Sequence, residues 1–375
     1  MRFQVSSTAL YARLQALSRV INTKSTLTIL ESILFEVDGS QLKMTASDSE
    51  TTLVSTMILD DVSGSGQFAI KASTILNGLK ELYEQPITLD VNEDTYEVKV
   101  TYQNGKSSFV GQSAAEYPLP MGIADDVQSI SIQCDILSNG ISRALFATAD
   151  DELRPVMNGI YFDITEESVT FVASDGHKLV RDRNTTVKSG TSTSFILPKK
   201  PAKMLKDILS KSEGEAVIRF DDKNAEIKIE GFTLACRLIV GRYPNYNSVI
   251  PRDNPYHVTV DRDAMIGALR RTMVFASTST SLTKLHMENN TLTISTQDID
   301  YSTAAEEHIL CDFTGNPMSI GFKGTFLLDI LNTMESTNII LQLADPSRAG
   351  VIVPAEQEEG EDLLMLLMPM MLNEG

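Results

Sequence analysis

Asp175 and His177 stand two positions apart in Ala173-Ser-Asp-Gly-His-Lys-Leu179. A carboxylate beside an imidazole can move protons near neutral pH, so the pair offers a general acid and base. No nucleophile accompanies them, and Asp175-Gly176 also reads as turn chemistry with His177 at the surface. The other histidines, His257, His286 and His308, show no metal-ligand spacing. The patterns Gly-x-x-x-x-Gly-Lys-Ser/Thr, Gly-x-Gly-x-x-Gly and Gly-x-Ser-x-Gly do not occur. The carboxylate pairs Glu306-Glu307 and Asp221-Asp222 read as solvated strand and turn residues. Cys134, Cys236 and Cys311 form no Cys-x-x-Cys pair, and an odd count suits a reducing, cytoplasmic setting. The expectation is a protein that is not an enzyme, with no catalytic residues, no metal and no cofactor.

The elements around Asp175 account for it differently. Val169, Phe171 and Ala173 alternate as a half-buried strand does, Asp175-Gly176 breaks the run, and Leu179-Val180 resumes it. The same strand, turn and strand are written at 44–55 and, more loosely, at 292–301. The aspartates of the three copies are Asp48, Asp175 and Asp298, separated by 127 and 123 residues, a third of the 375-residue chain each time. Apolar spacing predicts helices over 6–22, 71–83, 135–149, 199–211, 261–276 and 323–334, two per third, each followed by short strands. Ser6 or Ser7 suits the first N-cap. Pro118 and Pro120 with Gly122, and later Pro251 and Pro255, mark linkers, which sets domains at 1–122, 123–253 and 254–375. The expected fold class is α+β, three repeats of two helices packed on antiparallel sheets, with a constant rotation between like units curving the chain into an arc or ring.

A hydrophobic fraction of 42% is enough for a core in each repeat. The opening Met1-Arg-Phe-Gln4 leads into a polar run, with no signal peptide expected. The longest apolar stretch, 363–372, is interrupted by Pro369 and is too short to span a bilayer, so it is read as a C-terminal strand and no membrane partner is expected. The acidic run 355–362 reads as a solvated loop.

The formal net charge of −18 argues against nucleic acid until its distribution is considered. Counting the helices as 6–22, 71–83, 135–149, 199–211, 261–277 and 322–334, they hold 14 of the 32 Lys and Arg but 6 of the 50 Asp and Glu. They carry +8, and the rest of the chain −26. Arg13, Arg19, Lys80, Arg143, Lys203, Lys206, Arg270 and Arg271 could therefore point toward one anionic partner. A cationic face on an acidic body would meet phosphates without reading bases.

Five stretches then carry a resemblance: Arg154-Pro-Val-Met-Asn-Gly159, Ala173-Ser-Asp-Gly-His-Lys-Leu179, Leu197-Pro-Lys-Lys200, Gly241-Arg-Tyr-Pro-Asn-Tyr246 and Met368-Pro-Met370. In this order, on a threefold repeat, the chain resembles the bacterial DNA-polymerase sliding clamps, the β subunits of the replicative polymerase, over its whole length. The resemblance implies a head-to-tail homodimer closed into a ring around duplex DNA, helices inside and sheets outside. It implies a processivity factor that tethers the replicative polymerase, the clamp loader and repair factors through one peptide pocket.

Carried over, that pocket is lined by Met157, Ser174, Gly176, His177, Lys178, Leu179, Pro244, Val249, Met368, Pro369 and Met370, with Arg154 at its rim. Methionines repack around varied apolar side chains, which suits a shared site. The resemblance maps DNA contacts to Lys24, Lys199 and Lys200, to which the charge distribution adds Arg143, Lys203 and Lys206. At the dimer seam it sets Phe109 against Val274 and Phe275 of the other copy, with Glu306 and Glu307 as acidic positions and Lys71 or Lys106 as their partners. The tail departs from the family's pattern, since Met371 follows Met370 where an Arg is usual. Two other readings stay open: a non-DNA scaffold displaying peptide grooves, which has no need of a basic face, and a hydrolase built on Asp175 and His177.

Overall fold

The computed structural model describes residues 1–22, 27–118, 122–124 and 127–372. One order of elements runs through it three times, with one extra short strand, β5, in the first repeat. The first repeat holds β1 (Arg2–Ser6), α1 (Ser7–Ser18), β2 (Ser32–Asp38), β3 (Gln41–Ser47), β4 (Thr51–Ile58), β5 (Asp61–Ser63), β6 (Gly66–Lys71), α2 (Ala72–Leu79), β7 (Pro86–Val91), β8 (Glu97–Tyr102) and β9 (Gly105–Val110). The second holds β10 (Gln128–Gln133), α3 (Cys134–Leu145), β11 (Gly159–Thr165), β12 (Ser168–Ser174), β13 (Lys178–Asn184), β14 (Thr193–Pro198), α4 (Lys199–Leu209), β15 (Glu215–Phe220), β16 (Asn224–Ile229) and β17 (Phe232–Arg237). The third holds β18 (Tyr256–Asp261), α5 (Arg262–Thr272), β19 (Leu282–Glu288), β20 (Thr291–Asp298), β21 (Thr303–Asp312), β22 (Met318–Lys323), α6 (Gly324–Thr333), β23 (Asn338–Leu343), β24 (Gly350–Pro354) and β25 (Glu361–Leu367). The fold is α+β, with all named pairings antiparallel.

Side-chain chemistry sets the helix starts. The Ser6 hydroxyl accepts from the Ala9 amide at 3.1 Å, and the Asp261 carboxylate accepts from the Ala264 amide at 2.7 Å. Leu10, Leu14 and Leu17 then bury one stripe of α1 completely. The helices are shorter than their apolar spacing predicts. The 71–83 segment is helical only over Ala72–Leu79, and 273–275 tightens into a 3₁₀ turn beyond α5. A short strand precedes the first helix of every repeat, which the sequence reading did not anticipate. Each has only two buried inward residues, such as Phe3 and Val5 in β1, too few to announce a period.

The strands form two compact units that do not coincide with the thirds of the chain. Residues Met1–Ser138 with Lys200–Leu238 make the first, and Asn139–Lys199 with Ile239–Gly375 the second. The first unit contains a sheet ordered β10-β15-β16-β17-β4-β3-β2-β6 and another ordered β5-β1-β7-β8-β9. The second contains one sheet ordered β14-β11-β12-β13-β25-β24-β23-β18-β21-β20-β19-β22. Equivalent strands thus join successive repeats. In the first unit β4 pairs with β17, Leu53 opposite Leu234. In the second β13 pairs with β25, Val180 opposite Met365.

Two expectations about the C-terminus are corrected. The strand ends at Leu367 rather than continuing to 372, because Pro369 supplies no amide for a ladder. The acidic run is not wholly a solvated loop. Glu361 and Asp362 open β25 and are ion-paired to Arg143 and Arg181. Among the described residues no helix is long and apolar enough to cross a membrane.

Candidate functional site

The three repeated aspartates do the same job. Asp48 accepts from the amides of Glu50 and Thr51 at 3.0 and 2.7 Å. Asp175 accepts from His177 and Lys178 at 2.8 and 2.9 Å, and Asp298 from Asp300 and Tyr301 at 3.0 and 3.2 Å. Each carboxylate closes the turn between two strands by binding the backbone two and three residues on. Gly176, at φ +90°, supplies the left-handed residue of the middle turn.

This occupation removes Asp175 from proton transfer. Burial alone would push its carboxyl up, but the Lys178 ammonium at 2.9 Å and the two amides outweigh that and hold it below the usual range. The Lys178 ammonium lies 3.9 Å from the centre of the Phe326 ring, almost fully buried. This contact of buried Lys178 with half-buried Phe326 ties the turn to α6. Among the described residues no cluster of His, Cys, Asp and Glu gathers as a metal set.

All twelve residues assigned to the pocket lie in the second unit. Arg154, Gly176, His177, Pro244, Val249 and Met368 are exposed, Ser174, Pro369 and Met370 half-buried, and Met157, Lys178 and Leu179 buried. Several are in direct contact. The Arg154 guanidinium donates to the Asp175 carbonyl at 3.4 Å and to the Asp151 carboxylate at 2.7 Å. The Ser174 hydroxyl donates to the Lys178 carbonyl at 2.9 Å, and the Met368 amide to the His177 carbonyl at 2.8 Å. Leu179 packs with Leu366, Ala349 and Tyr246, and Tyr246 also touches the cluster of Tyr243, Val172 and Val156. Tyr161 and Tyr243 stack at 4.7 Å, and the Tyr246 hydroxyl donates to Asp163 at 2.7 Å. The result is an aromatic and aliphatic floor under exposed Val249 and Met368, 57% and 42% accessible.

Met157, Lys178 and Leu179 are the buried members, beneath the exposed ones. Phe326, on the apolar stripe of α6, is half-buried and faces His177 at 6.4 Å. A helical apolar stripe gives no sign of which member will emerge beside a turn 149 residues away.

The residues assigned to nucleic acid divide more sharply. Lys24 lies outside the described residues. Lys199 is paired with Asp150 at 2.6 Å, and Lys200 with Asp48 while donating to the Val20 carbonyl at 2.6 Å. Lys203 and Lys206 are exposed on α4 without an ion pair among the described residues. Arg143 is the most enclosed of the described set. Its guanidinium is 13% accessible and bridges Asp182 and Glu361 at 3.2 and 3.1 Å, so its charge is neutralised inside the second unit. Arg13, Arg19 and Arg271 are similarly engaged, by the Gly231 carbonyl, Asp207 and Glu307. Arg13 and Arg19 line a cleft of about 460 Å³ between α1 and α4 in the first unit.

For the seam, Phe109 is half-buried on β9, the last strand of its sheet in the first unit. In the second unit Val274 and Phe275 are 76% and 44% accessible, beside a β21 that meets β18 only at Cys311 and Asp312. Glu307 is held by Arg271 at 2.7 Å, while Glu306 stands 3.5 Å from His308. Lys71 is paired within the first unit with Glu31 at 3.0 Å, and Lys106 is exposed.

Comparison with known proteins gives this geometry its family. Residues 1–121, 131–245 and 247–370 match the models for the N-terminal, central and C-terminal domains of the DNA polymerase III β subunit. The β sliding clamp of Pseudomonas aeruginosa is 26% identical over 375 residues, covering 99% of this chain and 100% of the relative. That of Escherichia coli K12 is 26% identical over 380 residues, with the same coverage. A crystal structure of the Pseudomonas aeruginosa clamp with ligand superposes with a TM-score of 0.90 at 26% identity, over 99% of this chain and 100% of that one. Another from the same organism, bound to griselimycin, gives 0.92 at 25% identity with the same coverage. On the three domain matches, which together span nearly all of its length, this chain belongs to the DNA polymerase III β-subunit family.

Proposed function

We infer that the chain is a sliding clamp, a processivity factor without enzymatic activity, which closes head to tail with a second copy around duplex DNA in the cytoplasm. One observation carries the closure. The strand after each repeated turn is β4, β13 or β21, and the last strand of each repeat is β9, β17 or β25. Within the chain β4 takes β17 and β13 takes β25. By the same rule β21 would take a β9, and among the described residues β9 is paired only with β8. A second copy supplies the missing strand to each open edge, a heterologous contact that closes when the rotation permits. Phe109 then meets Val274 and Phe275 across that joint, with Lys106 near Glu306.

Lys199, Lys200, Lys203 and Lys206 are proposed to meet phosphates, with Lys203 and Lys206 dominant because their charges are unspent. The domains 1–122, 123–253 and 254–375 are proposed as the repeating units, the fold being continuous across their joints. The floor around Leu179 and Tyr246, rimmed by Arg154, His177, Val249 and Met368, is proposed to take short extended peptides of the polymerase, clamp loader and repair factors.

Encirclement is tested on nicked circular duplex, loaded by a bacterial clamp loader with ATP and then gel-filtered. The chain is expected to stay with the circle and to be released when a restriction enzyme opens it. Equal retention on circular and linear duplex overturns the reading.

A further inference from the structure

The last residues leave β25 at Leu367 and continue as an extended strap. Its backbone is fastened at two places in the second unit. The Met368 amide donates to the His177 carbonyl at 2.8 Å, in the middle turn. The Met370 amide donates to the Gly321 carbonyl at 2.8 Å, forming an isolated antiparallel bridge. Gly321 lies in β22, the outermost strand of its sheet, so the strap occupies an edge that otherwise has no neighbour there. Met371 between strap and terminus is 91% accessible, whereas Met370 is half-buried.

Glycine at 321 makes this approach possible. A Cβ there would stand 2.7 Å from the Met370 carbonyl oxygen, 2.8 Å from Leu372 Cδ2 and 3.0 Å from Leu282 Cδ1. The first of these is backbone, which cannot swing aside as a side-chain end can. The φ of Gly321 is not in the left-handed region, so any residue could adopt its conformation. The demand on position 321 is therefore space for the strap rather than backbone freedom.

We propose that Gly321 is a positioning residue for the partner pocket, fixing Met368, Pro369 and Met370 beside His177 by seating the strap on the edge of β22. This rests on the reading that partners dock on those methionines. Without the seat, the strap keeps only its His177 bond, and Met370 loses its fixed place in the binding surface. Ordering it again on contact would weaken binding.

The test uses the full chain and its cognate replicative polymerase as the immobilised probe. Gly321→Ala is expected to weaken polymerase binding roughly tenfold while leaving the dimer mass unchanged. A chain ending at Leu367 should bind more weakly still, and Gly321→Ala should have no further effect in it. If the truncation weakens binding but Gly321→Ala does not, or if Gly321→Ala is equally damaging in the truncated chain, the positioning role is overturned while the pocket stands. If the truncation itself changes nothing, the pocket reading falls and takes the positioning role with it. Hydrogen exchange on the unaltered chain provides a check free of substitutions. The Met368 and Met370 amides should exchange slowly and that of Met371 quickly, and equal exchange at all three would refute the strap.

Discussion

Asp182 shows how far a residue's chemistry depends on partners that its neighbours in sequence do not reveal. Its side chain is 5% accessible beneath Arg143, and burial pushes its carboxyl up to about 6, more than Arg143 draws it down, with Glu361 and Asp362 adding repulsion. The native value thus exceeds the unfolded one, and the native state binds this proton first as pH falls. The contribution to stability is therefore gained as pH drops through about 6 and is absent above it, the reverse of Asp175, whose lowered carboxyl stabilises at neutral pH and loses that as pH falls below the ordinary carboxylate range. Between pH 7.5 and pH 5, Asp182 should add about 1 kcal/mol. Asp182→Asn keeps the shape and abolishes the titration. On going from pH 7.5 to pH 5 the unfolding free energy from urea titration should change less favourably in Asp182→Asn than in the unaltered chain by that amount, and an identical pH dependence in both would show that Asp182 does not titrate there. Nothing in the local sequence announces this cluster, since Arg143 and Glu361 lie 218 positions apart.

At the scale of elements the threefold turn was legible because its determinant is local. Asp48, Asp175 and Asp298 each bind amides two and three residues on, so the same short phrase rebuilds the same turn. The helices were legible from their apolar stripes, though their ends were not, since an apolar residue past the last turn, such as Leu82, looks no different from one inside it. Strand partners were not legible at all. That β4 would take β17 follows from no property of either strand alone, and emerges only when the sheet orders are compared. The free edge of β9 and the edge of β21 that β18 covers only at Cys311 and Asp312 carry the next prediction. Val274→Glu with Phe275→Glu puts charge on a surface proposed to be desolvated against Phe109, and should raise the dimer dissociation constant by roughly 100-fold or more. Sedimentation would then show a monomer where the unaltered chain gives a dimer. Because Val274 and Phe275 are already exposed within the chain, its thermal midpoint should hardly move. An unchanged dimer mass would separate the seam from these residues, and a collapsed midpoint would mean that they serve the fold instead.

Across the whole molecule the question is how a chain of net charge −18 can hold a polyanion and still slide. Segregation of charge into helices supplied an answer in outline, but many of those cations are spent internally, Arg19 on Asp207, Arg143 on Asp182 and Glu361, Arg271 on Glu307. What remains is sparse, with Lys203 and Lys206 as exposed charges on α4 that have no ion pair among the described residues. Sparse contact is what mobility requires. Each neutralised phosphate contributes about 0.9 to the slope of log affinity against log salt, so a molecule gripping by many contacts would bind tightly and move slowly. If Lys203 and Lys206 both meet phosphates, Lys203→Gln with Lys206→Gln should lower that slope by roughly 2 per copy. The measurement is fluorescence anisotropy on a short linear duplex, where binding is an equilibrium and closure plays no part. Retention on circles should fall far less than affinity for the short duplex, because topology rather than attraction keeps a closed ring in place. An unaltered salt slope would mean that α4 does not face the duplex. Parallel loss of both measures would mean that attraction, not encirclement, holds the chain on DNA.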